Sequence, residues 1–345
     1  MKILITGTAG FIGFHLAEKL LNAGHLVIGI DQVNSYYDVK LKKDRLKFSG
    51  IEFVNNSSEG IVSTKYPGYI FYKADLENKK LLNEIFLKEQ PDAVCNLAAQ
   101  AGVRYSLKNP EAYINSNIVG FQNIIEACRT FNIKNFSYAS SSSVYGGNEN
   151  LPFNEEQRVE SPISLYAATK RSNELVAYTY SHLFKISTTG LRFFTVYGPW
   201  GRPDMALFLF VKALLSGESI NVFNNGNMLR DFTYIDDITE GILKVIENPA
   251  KAPKESSIFN PTKAPYKIYN IGNNDPIKLM DFINCIEEKL NKKFKINLMP
   301  IQPGDVPNTY ANVDLLVNEL GYKPNTPIKN GINNFVNWYL EYYNK

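Results

Sequence analysis

The chain has 345 residues, of which 44% are hydrophobic and 21% are charged, and its formal net charge is +3. This composition is typical of a soluble globular protein, and the length suits one large α/β domain or two linked ones. The densest basic cluster, Lys40, Lys42, Lys43 and Arg45, is predicted to be a solvated loop or helix face. Without a run of five basic residues to follow a phosphate backbone, no nucleic-acid partner is expected.

Several sequence features favour a cytoplasmic protein. No apolar stretch reaches the roughly 18 residues that span a bilayer, so no membrane partner is expected. A strand predicted at residues 2–6 leaves no room for a signal peptide. The three cysteines show neither disulfide nor metal spacing, and the three histidines are dispersed, so no metal site is expected.

Short apolar runs alternate with helix-like segments through the first half of the chain. The runs predict strands at 2–6, 26–31, 70–75, 93–98, 135–140 and 188–194. Ile12, Leu16 and Leu20 form a helical stripe between the first two strands. Repeated strand–helix units predict an α/β fold, a Rossmann-type, doubly wound parallel sheet covered by helices on both faces.

A glycine-rich turn follows the first predicted strand. Gly7, Gly10 and Gly13 have the spacing GxxGxxG between that strand and the helical stripe. Glycines permit a tight turn and a close approach of the backbone to a pyrophosphate, which the N-terminus of the next helix also attracts. The turn predicts a dinucleotide site that includes Phe11 and Ile12, and a glycine-rich turn without a ligand is the alternative.

Carboxylates at the ends of the next two strands indicate which dinucleotide binds. Asp31 ends the second strand, where a carboxylate accepts both ribose hydroxyls and repels a 2′-phosphate. The sequence therefore favours NAD over NADP. Asp75 and Leu76 follow the third strand and are predicted to contact the adenine, and Ala98 is assigned to the cofactor wall.

Tyr166 and Lys170 are candidates for acid–base chemistry. They lie four residues apart, so a helix places both side chains on one face. A nearby ammonium and a positive nicotinamide ring would lower the pKa of the phenol by roughly 3 units, which takes about 4 kcal/mol. The lysine can also bind the nicotinamide ribose. A hydroxyl from the serines at 140–143, which follow the fifth predicted strand, could join them as a third member.

The pattern loosens after residue 195, where Gly, Pro and Asn become frequent. We expect residues 1–190 to form an NAD-binding domain and residues 191–345 to form a smaller C-terminal substrate-binding portion, partly threaded back onto the sheet. The stretches 48–68 and 251–265 are predicted to be loops.

Long segments spread over almost the whole chain resemble extended short-chain dehydrogenases/reductases of the NAD-dependent epimerase/dehydratase group, and within that group the UDP-glucuronate 4-epimerases. The segments are GTAGFIG (7–13), LAAQAGVRYS (97–106), SSSSVYG (140–146), YAATK (166–170), LRFFTVYGPWGRPDMA (191–206), RDFTYIDD (230–237) and QPGDVPNTYA (302–311). One departure is Asn96, where relatives often carry His.

The resemblance implies a catalytic cycle. Tyr166 takes the proton of the sugar 4-hydroxyl while NAD takes the hydride from C4, the 4-keto sugar turns over, and the hydride returns to its other face. Ser141 matches the family's Ser/Thr partner of the tyrosine. For the nucleotide, the resemblance implies Arg230 on the diphosphate, Asp305 on the uridine ribose and Arg104 near the phosphates or sugar, although each could instead belong to a structural ion pair. It also implies a homodimer and the supply of surface-polysaccharide precursors.

The residues after Ser141 separate related activities. Dehydratases of sugar nucleotides typically carry Asp and Glu there, and decarboxylases of UDP-glucuronate commonly keep a Glu, whereas this chain has Ser142 and Ser143. Dehydration is disfavoured because that acid–base pair is missing from the motif. A 4-keto glucuronate is a β-keto acid that loses carbon dioxide readily, so an epimerase must hold its carboxylate. We expect Ser142, Ser143, Thr195 and Arg202 to do so.

Two other functions stay open at this point. A 4-epimerase of neutral or N-acetylated UDP-hexoses would use the same cycle, and a non-catalytic NAD-binding regulator could share the fold. UDP-glucuronate decarboxylation is the less favoured enzyme activity.

Overall fold

A mostly parallel sheet of eight strands organises the first part of the chain and extends into the second. The structure is a computed structural model, and it describes residues 1–53, 59–302 and 304–344. Its strands are β1 (Lys2–Thr6), β2 (Leu26–Asp31), β3 (Ile61–Val62), β4 (Tyr69–Lys73), β5 (Ala93–Asn96), β6 (Asn135–Ser141), β7 (Ser187–Phe193), β8 (Thr195–Tyr197), β9 (Ser219–Val222), β10 (Leu229–Tyr234), β11 (Tyr266–Ile271), β12 (Pro276–Lys278) and β13 (Lys295–Leu298).

The α-helices are α1 (Phe11–Asn22), α2 (Val39–Phe48), α3 (Lys79–Glu89), α4 (Pro110–Tyr113), α5 (Gly120–Thr130), α6 (Leu165–Phe184), α7 (Ala206–Ser216), α8 (Ile235–Glu247), α9 (Leu279–Leu290), α10 (Asp314–Leu320) and α11 (Ile328–Tyr342). A π-helical stretch, Ile114–Val119, joins α4 to α5.

The large sheet has the strand order β11-β7-β6-β5-β1-β2-β4-β3. All neighbours pair in parallel except β3, which is an antiparallel edge strand. The order from β4 to β7 is that of a doubly wound dinucleotide-binding fold, so the predicted fold class is confirmed. The six predicted strands all form, with the third and fourth ending two residues earlier than expected.

Both faces of this sheet are buried. Ile3 and Ile5 of β1 pack in one core with Leu16 of α1 and Ile242 of α8, while Leu4 packs in the opposite core with helices α3, α5 and α6. Successive side chains of a strand point to opposite faces, so a continuous apolar run such as Ile-Leu-Ile predicts a strand that is buried on both faces.

The second part of the chain has its own apolar core and also contributes to the sheet. Helices α7, α9 and α11 pack with β9 and β10 in a separate cluster, in which Phe232 and Phe282 stack. β11 extends the large sheet beside β7, and α8 covers it. The division into residues 1–190 and 191–345 stays a prediction.

The basic cluster is a correction to the sequence analysis. α2 carries it, and although Lys40 is exposed, Lys42 and Arg45 are buried, with Arg45 fully inaccessible. The Arg45 guanidinium donates to the carbonyls of Ala9, Trp200 and Gly201. The expectation of a solvated face is wrong for these two residues, because backbone carbonyls of distant segments bind Arg45 and the oxygens of nearby Asn34 bind Lys42.

The two predicted loops fare differently. Residues 251–265 contain no helix or strand, as expected. The stretch 48–68 includes the end of α2 and the short strand β3, and its residues 54–58 lie outside the described part of the chain. Within the described ranges, no helix combines the length and apolarity needed to cross a membrane.

Candidate active site

A cavity of about 1080 Å³ opens at the carboxyl ends of the parallel strands. This edge is where ligands bind in doubly wound sheets. The cavity is lined by every residue that the sequence singled out for cofactor, catalysis or substrate: Gly7, Gly10, Phe11, Ile12, Gly13, Asp31, Asp75, Leu76, Ala98, Arg104, Ser141, Ser142, Ser143, Tyr166, Lys170, Thr195, Arg202, Arg230 and Asp305. The fold therefore brings all of them into one space, while their individual roles stay predictions.

The glycine turn forms a cradle at one end of the cavity. Gly7 has a φ of +81°, and a Cβ on Gly13 would lie 2.1 Å from the Gly7 carbonyl oxygen, so no other residue fits there. α1 begins after Gly10 without a side-chain cap, which leaves its first N–H groups free for an anion. The residues present therefore fit a pyrophosphate.

Asp31 lies beside this cradle. Its carboxylate accepts hydrogen bonds from the backbone N–H groups of Ala9, at 3.1 Å, and Val33, at 2.7 Å. Burial raises the pKa of Asp31, while the positive Lys42 and the two N–H groups act to lower it. Because an ionised carboxylate offers about four acceptor sites, Asp31 keeps capacity for ribose hydroxyls.

Asn96, the departure from the family pattern, is buried beside the cavity wall that Leu97 and Ala98 form. Its Oδ1 accepts a hydrogen bond of 2.6 Å from the Thr6 hydroxyl, which in turn accepts one from the Ala98 N–H at 3.0 Å. A Cβ on Gly7 would lie 3.0 Å from the Ala98 nitrogen. Asn96 therefore acts on the cradle through Thr6, by fixing the segment that packs against it.

α6 presents the proposed acid–base pair. The helix starts at Leu165, and its N-cap Ser164 accepts a hydrogen bond from the Ala167 N–H. Lys170, one turn after Tyr166, donates to the Ala139 carbonyl of β6 at 2.9 Å. Burial lowers the pKa of Lys170 to about 8.

The pKa of the Tyr166 phenol is raised by burial. A hydrogen bond with Ser141 and the positive charge of Arg202 act against burial, and the Lys170 ammonium is bound to the Ala139 carbonyl. The expected lowering depends on the nicotinamide ring as well as on the ammonium, so it concerns the NAD-bound site and stays a prediction.

The serines form a short hydrogen-bonded turn at the end of β6. Ser141 donates from Oγ to Ser143 Oγ at 3.1 Å and accepts from the Ser143 N–H at 3.2 Å. Ser140, one residue earlier, points the other way and donates to the buried carboxylate of Glu174 at 2.7 Å. All four serines line the cavity, and Ser140 is the one whose hydroxyl is bound to a buried carboxylate.

Arg230 and Arg104 share one carboxylate at the far end of the cavity. Arg230 donates to Asp305 Oδ1 at 3.1 Å and to the Val306 carbonyl at 2.7 Å, while Arg104 lies 3.3 Å from Asp305 Oδ2. The ion pairs of the structural alternative are therefore present. The predicted role of these residues in binding the nucleotide stays a prediction.

Sequence reasoning missed the groups that hold this end in place. Asp231 is fully buried, and its carboxylate accepts hydrogen bonds from the N–H groups of Asn273, Asn274 and Ala311. It therefore joins β10 to the segment that carries Asp305. Tyr36 and Asp204 also line the cavity and were not singled out. Tyr36 meets Asp204 across 168 positions, so no local pattern could have paired them, although Asp204 also binds Arg202 two residues away.

Comparisons with known proteins agree with this geometry. Residues 3–272 match the model of the family described as "NAD dependent epimerase/dehydratase family". The chain is 58% identical to Protein CapI of Staphylococcus aureus, with all of both chains covered, and 43% identical to a probable UDP-glucuronate 4-epimerase of Rhizobium meliloti, over 100% of this chain and 98% of the relative.

A solved structure shares the architecture. The UDP-glucuronic acid 4-epimerase of Bacillus cereus, in complex with UDP-glucuronic acid and NAD, superposes with a TM-score of 0.85 and 31% identity, over 99% of this chain and all of that one.

Proposed function

The chain belongs to the NAD dependent epimerase/dehydratase family, and we propose that it interconverts UDP-glucuronate and UDP-galacturonate. The observation that carries this proposal is the juxtaposition of two sets of groups in one cavity. Tyr166, Lys170 and Ser141 supply acid–base chemistry at a carbinol, and Arg202 places a guanidinium close enough to act on the pKa of Tyr166.

NAD is the cofactor of this family, and the residues present fit it. The backbone of Gly7, Gly10 and Gly13 would hold the pyrophosphate, and Asp31 would hold the adenosine ribose. When bound, NAD supplies the acceptor and donor of a hydride at C4 of the sugar, so that it is regenerated in each turnover.

Tyr166 is the proton carrier in this proposal. Its phenol oxygen removes the proton of the 4-hydroxyl and returns it after the 4-keto sugar has presented its other face. Ser141 and Arg202 assist because they act against the effect of burial on the phenol's pKa. Lys170 fixes the start of α6 to β6 through Ala139, which holds Tyr166 and Ser141 in register.

The serine turn and Arg202 determine which UDP-sugar the protein binds and which reaction it undergoes. Ser142 and Ser143 stand where elimination would need an acid and a base, so the 4-keto sugar keeps its substituents. Thr195, at the start of β8, lines the same cavity as Arg202. We propose that these four residues hold the sugar carboxylate, and that Arg230, Asp305 and Arg104 hold the UDP.

A product analysis tests the proposed function. Purified protein is given UDP-glucuronate without added NAD, and the nucleotide sugars are followed by NMR. UDP-galacturonate at equilibrium with the substrate supports the proposal. A pentose nucleotide with carbon dioxide as the main outcome contradicts it, and faster turnover of UDP-N-acetylglucosamine in competition favours the neutral-sugar epimerase.

We also propose a cytoplasmic homodimer that supplies precursors of surface polysaccharides, with residues 191–345 as its main substrate-binding portion. The family resemblance supports this assignment. Light scattering on the purified protein tests the oligomeric state, and a monomer at micromolar concentration contradicts it.

A further inference from the structure

Arg202 is held in a bidentate ion pair inside the cavity. It lies in the loop between β8 and α7, and Asp204, two residues later, accepts from its Nε at 3.0 Å and its Nη2 at 2.5 Å. The side chains of Arg202 and Asp204 are 21% and 34% exposed, so the pair is at the wall of the cavity and not in bulk solvent.

Tyr36 completes this arrangement from a distant part of the chain. It belongs to the segment between β2 and α2, and its hydroxyl donates to Asp204 Oδ2 at 3.0 Å. The Tyr36 ring also packs against the guanidinium, whose carbon lies 5.9 Å from the ring centroid. Asp204 is thus held between a cation and a phenol that come from different halves of the molecule.

The pairing leaves one edge of the guanidinium available. A guanidinium has five N–H donors in a rigid plane. Asp204 uses the edge formed by Nε and Nη2, which leaves the Nη1 end for another acceptor. Gly102 leaves room for this pair, because a Cβ there would lie 3.8 Å from Arg202 Nη2 and 2.8 Å from the Tyr36 hydroxyl.

The charges of Arg202 and Asp204 stabilise this ion pair. Although burial acts to raise it, the Arg202 guanidinium holds the pKa of Asp204 below its usual value, so that the carboxylate stays ionised at neutral pH. Arginine has several rotatable bonds, and an ordered partner restricts them before a ligand arrives. A carboxylate that meets a pre-oriented guanidinium can be bound in one pose.

We propose that Asp204 and Tyr36 are positioning residues that hold the Arg202 guanidinium in one orientation for the sugar carboxylate and thereby suppress decarboxylation of the 4-keto sugar. This inference rests on the proposed function. In the suppressed reaction the C5–C6 bond breaks, its electron pair moves into the C4 carbonyl as an enolate, carbon dioxide leaves and a proton is added to C5. The bond breaks fastest when it is aligned with the carbonyl π system, so a fixed carboxylate pose controls the rate.

The main variant is Asp204→Asn, which keeps the size of the side chain and removes its charge. We expect kcat/KM for UDP-glucuronate to fall about 10-fold or more, because hydrogen bonds to charged groups are the stronger class. The pentose nucleotide and carbon dioxide should form a larger share of the product. The affinity for UDP alone and the bound NAD content should not change.

Tyr36→Phe and Asp275→Asn are the companions of this variant. Tyr36→Phe removes only the hydrogen bond to Asp204, so its effect should have the same direction and be smaller. Asp275 is exposed and does not line the cavity, so Asp275→Asn controls for the loss of one negative charge and should behave as the wild type. If Asp204→Asn does not fold, Tyr36→Phe carries the test.

The outcomes separate the inference from the proposed function. A wild-type protein that does not convert UDP-glucuronate overturns both. A wild-type epimerase whose Asp204 and Tyr36 variants release no additional pentose, or lose acidic and neutral UDP-sugars equally, overturns the inference alone. An increased pentose share in both variants, with UDP affinity intact, supports it.

Discussion

The cofactor side and the substrate side of the cavity are built in different ways. On the cofactor side, the backbone places the functional groups: Gly7 in a turn, Ser141 at the end of a strand and Tyr166 in the first turn of a helix. On the substrate side, ion pairs with carboxylates orient the arginines, as Asp305 does for Arg230 and Asp204 does for Arg202. Substitution of a group that the backbone positions should therefore abolish most of the activity. Substitution of a group that an ion pair orients should reduce activity by a smaller amount.

The largest effect is expected for Tyr166→Phe, which leaves the backbone of the cofactor side intact and removes its proton carrier. Loss of a general acid–base group costs roughly 10²–10⁴-fold in rate. Turnover of UDP-glucuronate should fall by at least that much, while NAD stays bound. The measurements are kcat and the cofactor content of the purified variant. Turnover near the wild-type value would refute the mechanism.

Glu174→Gln tests whether the cofactor side also depends on an ion pair. Glu174 is fully buried, and Arg192 donates to both of its oxygens, at 2.9 and 3.0 Å, while Ser140 donates at 2.7 Å. Breaking a buried pair costs about 3–5 kcal/mol because the arginine is left without a counter-charge. We expect that loss in the free energy of unfolding, measured with urea. A loss below about 1 kcal/mol would show that the pair is dispensable. The matched control is Arg129→Gln, which breaks the exposed pair with Glu126 and should change the free energy of unfolding much less.

Lys170→Met should stabilise the protein while it removes activity. Burial lowers the pKa of Lys170 from 10.5 to about 8, so the folded state disfavours the charged form that the unfolded chain keeps. Between pH 8 and 10.5 the unfolded state binds more protons, so wild-type stability rises with pH through this window. The variant should therefore be more stable at pH 7, by about 3 kcal/mol at most, and the difference should shrink toward pH 10.5. Urea unfolding at both ends of the window is the measurement, and a constant difference contradicts it.

The smallest effect is expected on the substrate side, for Arg202→Ala. The loss should fall on kcat/KM for UDP-glucuronate, by about 10–100-fold, and should be smaller for UDP-N-acetylglucosamine, which has no carboxylate to bind. Arg202→Lys keeps the charge but not the planar fork, so an intermediate loss is expected. Equal losses on both UDP-sugars would remove Arg202 from its carboxylate role.

The cofactor side could be predicted from the sequence because its signals are local. The spacing of Gly7, Gly10 and Gly13, the turn from a buried strand into a helix, and the four-residue step from Tyr166 to Lys170 each depend on neighbours within one element. The geometry of a turn or a helix does not depend on where in the fold it lies, so such spacings can be interpreted from the sequence alone. All of these residues line the cavity as expected.

Other features could not be predicted because their partners are far away in the sequence. Arg45 looked like a solvated cation, yet it binds the carbonyls of Trp200 and Gly201 in the other half of the chain. Tyr36 meets Asp204 across 168 positions. Burial, which raises the pKa of Tyr166, is a property of the folded molecule and has no local signal in the sequence.

The sequence by itself determined the fold class and predicted the dinucleotide turn and the acid–base candidates, because apolar periodicity and motif spacing act over a few residues. Only the tertiary structure decided which charges are buried and what orients them. Burial and ion pairing depend on which segments meet at the carboxyl edge of the sheet. Asp204 lies two residues from Arg202, but Tyr36 is brought to the pair from a distant part of the chain only by the fold.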